Sequence, residues 1–489
     1  LLEHLIQRAG KSTPVTPLSE KRLPAWLKDQ PAQVQAWVKT AEFKAKPGSI
    51  CLLPDGRGQP ARVLVGVEDG IDRWSLGVLP GALPQGTYRL DGEASAAEAT
   101  AHAFAWAMGC YRFGRYKSDA KEFARLIWPK AADRAAVEGL VRAIALTRDL
   151  INTPAEDMGP PELAEAARKV AQEFKAKFVV TVGDDLLKQN YPTIHAVGRA
   201  AAKAPRLIDI RWGSSGPKLT LVGKGVCFDT GGLDLKTAGY MLMMKKDMGG
   251  GALMLGLARA IMAAKLPVQL RVLVPAVENS VSGNAIRPLD VVKTRKGITV
   301  EIGNTDAEGR LILCDALAEA DSEQPDLIID AATLTGAARV ALGPDLPALF
   351  ANDDETAAAL LRHGKLEGDP LWQLPLWKGY RRMLDSKVAD INNVSDGGFA
   401  GAITAALYLA EFVSPATKWM HIDTFGWNPR SQPGRPEGGE ALALRALFAF
   451  ITDWAKTVQG PKIVTKKPAP RVALRRPVHS PTLARLRRR

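Results

Sequence analysis

Asn304-Thr305-Asp306-Ala307-Glu308-Gly309-Arg310-Leu311 gathers two carboxylates, a guanidinium and a permissive glycine into one short turn. Before it, Gly297 to Ile302 reads Gly-Ile-Thr-Val-Glu-Ile, and its alternating β-branched residues predict a strand. After it, Leu311 to Ala320 is rich in Ala and Leu. That composition predicts a helix starting near Gly309 or Arg310, with Leu313, Leu317 and Ala320 turned to a core. Asp306 and Glu308 then lie just past a strand end, where open α/β sheets bind ligands. Acidic residues also cap helix N-termini and favour the helix dipole, and the octapeptide alone leaves both readings open.

A second acidic cluster lies upstream, in Val222-Gly-Lys224-Gly-Val-Cys-Phe-Asp229-Thr-Gly-Gly232, followed by Lys236 and by Lys245-Lys246-Asp247-Met-Gly-Gly-Gly251. Pro217 to Val222 reads as a short buried strand, so Lys224 and Asp229 also leave a strand end, and both clusters can face one edge of one sheet. Gly231, Gly232 and Gly249 to Gly251 allow backbone conformations and close approaches that a side chain forbids. Asp229, Asp247, Asp306 and Glu308 in one cleft would repel one another unless neutralised. Two divalent cations would neutralise them. Oxygen-rich ligation suits Mn, Mg or Zn in a two-metal site, with ions about 3.5 to 4 Å apart. None of the six histidines is followed by Glu, so His-Glu-x-x-His is absent, and no two have the spacing of a zinc pair. His195 and His421 read as strand or core residues. Cys51, Cys110, Cys227 and Cys314 form no Cys-x-x-Cys and read as buried thiols of a reducing compartment.

With these motifs the chain resembles the leucyl aminopeptidase family, the di-metal peptidases of family M17, and within it a bacterial-type subgroup. The octapeptide is the family signature without a change. Asn152-Thr-Pro154 with Asp157-Met-Gly-Pro160, Ala331-Ala-Thr-Leu-Thr-Gly336 and Gly401-Ala-Ile-Thr-Ala-Ala406 match as well, so that the resemblance runs from residue 140 to 455. It implies that Lys224, Asp229, Asp247 and Glu308 hold one metal ion and that Asp229, Asp306 and Glu308 hold the other. Mn or Zn is expected first, with Mg or Co as alternatives. A lysine ligand must be neutral, so the adjacent dication would have to depress its pKa. The family's two further catalytic positions fall on Lys236, as a donor to the oxyanion of the tetrahedral intermediate, and on Arg310, whose fork suits a bound bicarbonate acting as general base. All seven side chains are present, so an active enzyme is expected.

The resemblance further implies an apolar pocket for the first side chain near Met244, Thr333 and Gly336, and backbone contacts to substrate at Thr333 and Leu334. Met241 and Met243 read as ordinary core filling. The family also implies short peptide substrates and a homo-hexamer. Thr237 stands where many members carry proline and Asp234 where others carry serine, departures that bear on substrate preference rather than on the chemistry.

A chain of 489 residues with 46% hydrophobic content exceeds one ordinary domain and supports a substantial core. Expected are an N-terminal α/β domain over residues 1–140, a linker over 141–161, a catalytic domain over 162–458 and a basic tail over 459–489. In the first domain Ser49 to Leu53 and Ala61 to Val67 read as strands and Ala94 to Met108 as a helix. In the catalytic domain helix Gly251 to Ala264 alternates with strands Val268 to Pro275 and Leu327 to Ala332. Such alternation predicts a fold of class α/β, with a mainly parallel sheet flanked by helices. Arg259 and Glu411 interrupt the most apolar stretches, so no membrane span is expected. Residues 1 to 14 do not read as a signal peptide, although a start at Leu1 leaves room for a missing initiator or leader, and the expected location is cytoplasmic. Gly10-Lys11-Ser12 has Leu5 where a phosphate loop needs glycine.

The net charge is +13, but ten Lys and Arg residues and no acid follow Gly460, which leaves three for the remainder. The proline-rich tail composition predicts disorder. It reads either as a solvated extension or as an anion-binding arm for nucleic acid or membrane, with binding lost steeply in salt. The leading expectation is thus a metal-dependent aminopeptidase that removes leucine-type and other neutral N-terminal residues. The competing one is a nucleic-acid-binding protein on the same scaffold. A two-metal phosphoesterase would use similar carboxylates but gives no reason for the remaining motifs.

Overall fold

The computed structural model describes residues 1–117 and 122–458, so the basic tail lies outside the described residues. Among the described residues no helix is long and apolar enough to cross a membrane.

The N-terminal sheet has six strands in the spatial order Leu5–Ile6, Arg125–Ile127, Thr87–Leu90, Thr13–Leu18, Pro60–Gly66, Ile50–Pro54. Strand alternation sorts its faces. Val15, Val63 and Val65 pack into the main core with Phe104 and Trp106 of helix Ala96–Gly109, while Leu64 and Leu53 join a small cluster with Leu23 and Val38 on the other face. The helix begins where Ser95 and Glu98 form a reciprocal capping box, which satisfies two otherwise free N–H groups.

Residues 141–161, expected as a linker, are not extended chain. They comprise the last twelve residues of helix Arg134–Asn152, a 3-10 turn at Ala155–Asp157 and the start of helix Pro160–Glu173. The physical reason is apolar spacing: Val137, Val141, Ile144 and Ile151 share one helix face and join the core that spans both sheets. Thr147 also ties this helix to helix Gly249–Ala263, its hydroxyl donating to the Ala252 carbonyl at 3.2 Å.

The second sheet has eight strands in line: Trp372–Gln373, Ala348–Ala351, Trp419–Asp423, Leu327–Ala332, Lys218–Gly223, Gln269–Asn279, Arg206–Trp212, Lys177–Val182. A ninth, Gly225–Asp229, pairs with the far end of Gln269–Asn279. The four central strands are mutually parallel, and antiparallel pairings flank them. Leu219, Leu221, Leu270, Val272, Leu327 and Ile329 face a core shared with helix Gly249–Ala263. Val222, Leu273, Val277 and Ile328 face the opposite side with helix Glu308–Ser322. From strand Lys218–Gly223 the chain passes to its neighbour on one side, Gln269–Asn279, and later to the neighbour on its other side, Leu327–Ala332. That reversal makes the C-terminal end of Lys218–Gly223 a topological switch point, where such sheets open a crevice.

One expectation needs correction. The strand preceding the octapeptide, Thr299–Glu301, is not part of this sheet; it lies between Val291–Lys293 and Ile391–Asn392 in a separate three-stranded sheet. Periodicity identifies a strand but not its sheet.

Candidate active site

Lys224 follows the switch-point strand directly. Its N–H donates to the Ala331 carbonyl at 3.0 Å, and its carbonyl accepts from Gly251 at 2.7 Å. The backbone is therefore clamped between the neighbouring strand and the start of a helix. Strand Gly225–Asp229 then ends on Asp229, whose Oδ1 accepts from Gly231 N–H at 2.8 Å and from Asn279 Nδ2 at 2.9 Å. Gly231 and Gly232 turn the chain with φ of +89° and +66°, the left-handed region that favours glycine. This turn returns Lys236 to Asp229. Asp234, the departure at this turn, fastens it to the octapeptide: its Oδ2 accepts from Thr305 N–H at 2.7 Å, and its N–H donates to Thr305 Oγ1 at 2.8 Å.

The charged groups converge. Lys224 Nζ lies 2.8 Å from Asp247 Oδ2 and 2.9 Å from Glu308 Oε1, and it donates to the Thr333 carbonyl at 3.0 Å. Lys236 Nζ lies 2.7 Å from Asp229 Oδ2 and pairs also with Asp306. Asp229, Asp306 and Glu308 can present oxygens all within 4.8 Å of one another. Burial, with Asp229 alongside, pushes the Glu308 carboxyl up to about 8 and that of Asp306 up to about 6. Burial alone would lower the Lys224 ammonium, but Asp247, Glu308 and Asp229 override it and raise its pKa. Carboxylates with raised pKa values are groups that gain from a nearby positive charge, proton or metal. Glu308 Oε2 is buried without a hydrogen-bond partner. Hard oxygen donors this close, with one of them unsatisfied, fit divalent cations.

Gly309 shows why the octapeptide has glycine. Its φ is not in the left-handed region, so the expected conformational permissiveness is not what the position uses. A Cβ there would lie 2.6 Å from Lys224 Cε and 2.7 Å from Nζ. The missing side chain is the space that the lysine occupies.

Arg310 Nη1 donates to the Asn393 carbonyl at 2.7 Å, and its Nε is buried without a hydrogen-bond partner. Asn393 also holds the octapeptide from behind, accepting from Gly303 N–H at 2.8 Å and donating to the Asn304 carbonyl at 2.8 Å. Thr333 Oγ1 donates to Asp247 Oδ1 at 2.6 Å. Buried Asp423 accepts from Leu334 N–H at 3.0 Å and from Thr335 Oγ1 at 2.6 Å. The Leu334 N–H is therefore engaged. Asn279, Asn393 and Asp423 were missed from sequence, since a single amide or carboxylate at a strand end carries no spacing signal.

Met244, Thr333, Leu334 and Gly336 line a cavity of about 600 Å³ that also contains the carboxylate cluster. Met243, expected in the core, lines it too. A Cβ at Gly336 would meet nothing within 4 Å, so this position keeps cavity space open. His421 is a buried strand residue bonded through Nδ1 to Asp330 at 2.6 Å, and His195 lies on helix Pro192–Gly198 beside Asp184. Neither lines the cavity. All four cysteines are free and buried.

A carboxylate and lysine cluster at the switch point of a mixed α/β sheet, in a chain that also carries a smaller N-terminal sheet, fits a two-domain metal-dependent enzyme. The chain belongs to the cytosol aminopeptidase family: residues 145–448 match its catalytic domain and residues 13–129 match the M17 aminopeptidase N-terminal domain. It is an aminopeptidase by that membership. The chain is 41% identical over 368 residues to a probable cytosol aminopeptidase of Roseiflexus castenholzii, covering 71% of this chain and 75% of that one. It is 42% identical over 336 residues to a peptidase B of Pectobacterium carotovorum, covering 66% and 77%. The crystal structure of cytosol aminopeptidase from Coxiella burnetii superposes with a TM-score of 0.89 at 50% identity, over 93% of this chain and all of that one. The bottromycin maturation enzyme BotP, solved in complex with Mn, superposes with a TM-score of 0.81 at 32% identity, over 91% of this chain and 99% of that one.

Proposed function

We propose that this aminopeptidase uses two divalent metal ions to hydrolyse the N-terminal residue, leucine-type or otherwise neutral, from short peptides, as a cytoplasmic homo-hexamer. The observation carrying this reading is the trio Asp229, Asp306 and Glu308, with oxygens within 4.8 Å of one another, joined to Lys224 and Asp247 in the lining of the cavity. In this reading Lys224, Asp229, Asp247 and Glu308 hold one ion, and Asp229, Asp306 and Glu308 hold the other. The Lys224 amine must then be neutral, as an adjacent dication would require. Bound Mn or Zn, or else Mg or Co, would polarise the scissile carbonyl and activate water. Lys236, reaching the cavity from its glycine turn, would donate to the oxygen that gains negative charge. The unpartnered Arg310 Nε supports an anion such as bicarbonate beside it as general base. Met244 and Gly336 would border the first side chain, and the Thr333 and Leu334 backbone would align the peptide. The Mn-bound relative supports metal use, and the family's cytosolic name supports the cytoplasmic location.

The test is amine release from leucyl and other aminoacyl anilides by metal-free protein, before and after adding Mn, Zn, Mg or Co. Metal-dependent release that N-acetylation of the substrate abolishes is expected. Equal release without metal, or from the acetylated anilide, would reject the reading.

A further inference from the structure

Lys245 and Lys246 are adjacent but meet different fates. Lys245 Nζ donates to the Asn152 carbonyl at 2.7 Å and lies over Trp427. Lys246 points the other way and lines the substrate cavity while only 5% exposed. Its Nζ lies 4.9 Å from the centre of the Phe425 ring. Arg339, on helix Gly336–Leu342, approaches the same ring, with Cζ 5.1 Å from its centre, and lines the same cavity.

The two differ from the other cations of this cavity. Lys224 and Lys236 are each paired with two carboxylates, whereas neither Lys246 nor Arg339 makes an ion pair among the described residues. The nearest acids are committed elsewhere: Asp247 to Lys224 and Thr333, Asp423 to Leu334 and Thr335. One ring attracts a cation by its quadrupole, but two cations on one ring also repel each other. A buried, unpaired ammonium is costly, and an anion entering the cavity would offset that cost.

We propose that Lys246 and Arg339, set about the Phe425 ring, bind a carboxylate of the peptide substrate. The inference rests on the aminopeptidase reading of this cavity. Short peptides offer such a carboxylate in two places, on an acidic first side chain and at the C-terminus of a dipeptide. The competing possibility is that the two cations merely balance the acids of the cavity. Balance of that kind acts alike on substrates with and without the carboxylate.

Two matched pairs separate these cases: glutamyl against glutaminyl anilide, and leucylglycine against leucylglycinamide. For each pair kcat/KM is measured with metal-loaded wild type, Lys246→Met and Arg339→Gln, and the ratio within the pair is the readout, so that a loss common to both members cancels. Wild type is expected to favour the carboxylate member of one pair. Each variant should reduce that ratio about 10- to 100-fold, the scale of a charge-assisted hydrogen bond. A change in the glutamyl pair identifies the side-chain carboxylate, and a change in the dipeptide pair identifies the C-terminal one. Unchanged ratios in both pairs, from variants with wild-type melting and metal content, overturn the proposal. If wild type turns over none of the four substrates with any metal, the aminopeptidase reading of the cavity fails instead.

Discussion

Gly309→Ala tests whether the Lys224 position is essential. The new methyl would fall 2.6 Å from Lys224 Cε, 2.7 Å from Nζ and 2.8 Å from Cδ, well inside contact distance, so the lysine must move. It has little freedom to do so, being 3% exposed and held by Asp247, Glu308 and the Thr333 carbonyl. Two effects oppose each other. Replacing glycine by alanine in a helix gains at most about 1 kcal/mol, and less in a first turn such as this one. Overpacking costs about 1 to 3 kcal/mol, and in metal-free protein, where the Lys224 ammonium is charged, separating it from its partners costs about 3 to 5 kcal/mol. Partial withdrawal of Lys224 falls between these limits, so a net destabilisation of about 2 kcal/mol is expected. Turnover should fall by about 100-fold or more, the scale of one misplaced active-site group. Denaturant unfolding, metal analysis and anilide hydrolysis would be run on the same preparations. Wild-type turnover with wild-type metal content would refute this reasoning, because the site would then tolerate a displaced Lys224.

Asp306→Ala should lose bound metal together with activity, since it removes an oxygen of the carboxylate trio; two metals per chain by elemental analysis would contradict its assignment as a ligand. Lys236→Ala should retain its metals and lose about 10²- to 10³-fold in kcat, as expected for removal of an oxyanion donor, and near-wild-type kcat would take Lys236 out of the mechanism. Gly336→Val places a side chain where a Cβ meets nothing within 4 Å, so melting should be unchanged while kcat/KM for leucyl substrates falls relative to alanyl ones; equal loss on both would place Gly336 away from the first side chain. In metal-free protein the Glu308 carboxyl rises from 4.5 to about 8 and that of Asp306 from 3.8 to about 6, so the folded state holds protons that the unfolded state has released and stability should fall as pH rises from about 4 to 8. Melting curves across that range should show the decline flattened by added Mn or Zn, and parallel curves with and without metal would exclude these carboxylates as its source.

Sequence revealed the parts of this structure that rest on local chemistry. Strand Leu327–Ala332 was expected with those bounds, and its short apolar run, Leu-Ile-Ile-Asp-Ala-Ala, is the local signal that carries it. The octapeptide alone left Asp306 and Glu308 open between helix capping and ligation, and the second acidic cluster around Lys224, Asp229 and Asp247 decided between them. What remained hidden depends on chain segments meeting from far apart. Thr299–Glu301 looks like any strand, and only its pairing with Ile391–Asn392 removes it from the main sheet. Residues 141–161 were expected as a linker, and the helix Arg134–Asn152 that occupies their first part stayed hidden because its buried face is covered by elements from both domains. Asp234 looked like a departure at one loop position, and its role as a fastener exists only beside Thr305, 71 residues away.

The site's energetics also explain why its ligands come from separate elements. Four carboxylates drawn together in a poorly solvated cleft repel one another, so each must be held by donors that do not move. Two of those donors belong to elements the repulsion cannot displace together, Asn279 at a strand end for Asp229 and Thr333 after another strand for Asp247, while the turn carrying Asp306 is fixed by its own N–H donating to Asn304 Oδ1. A single loop carrying all four acids could relax by swinging them into water. The switch point prevents this, because its strand ends are fixed by parallel pairing on both sides. Once the neutral donors and both lysines are counted, Glu308 Oε2 is the buried carboxylate oxygen of the trio left without a hydrogen bond. An acceptor held rigidly at that cost, with two further carboxylates within reach, is where added positive charge would be most strongly bound.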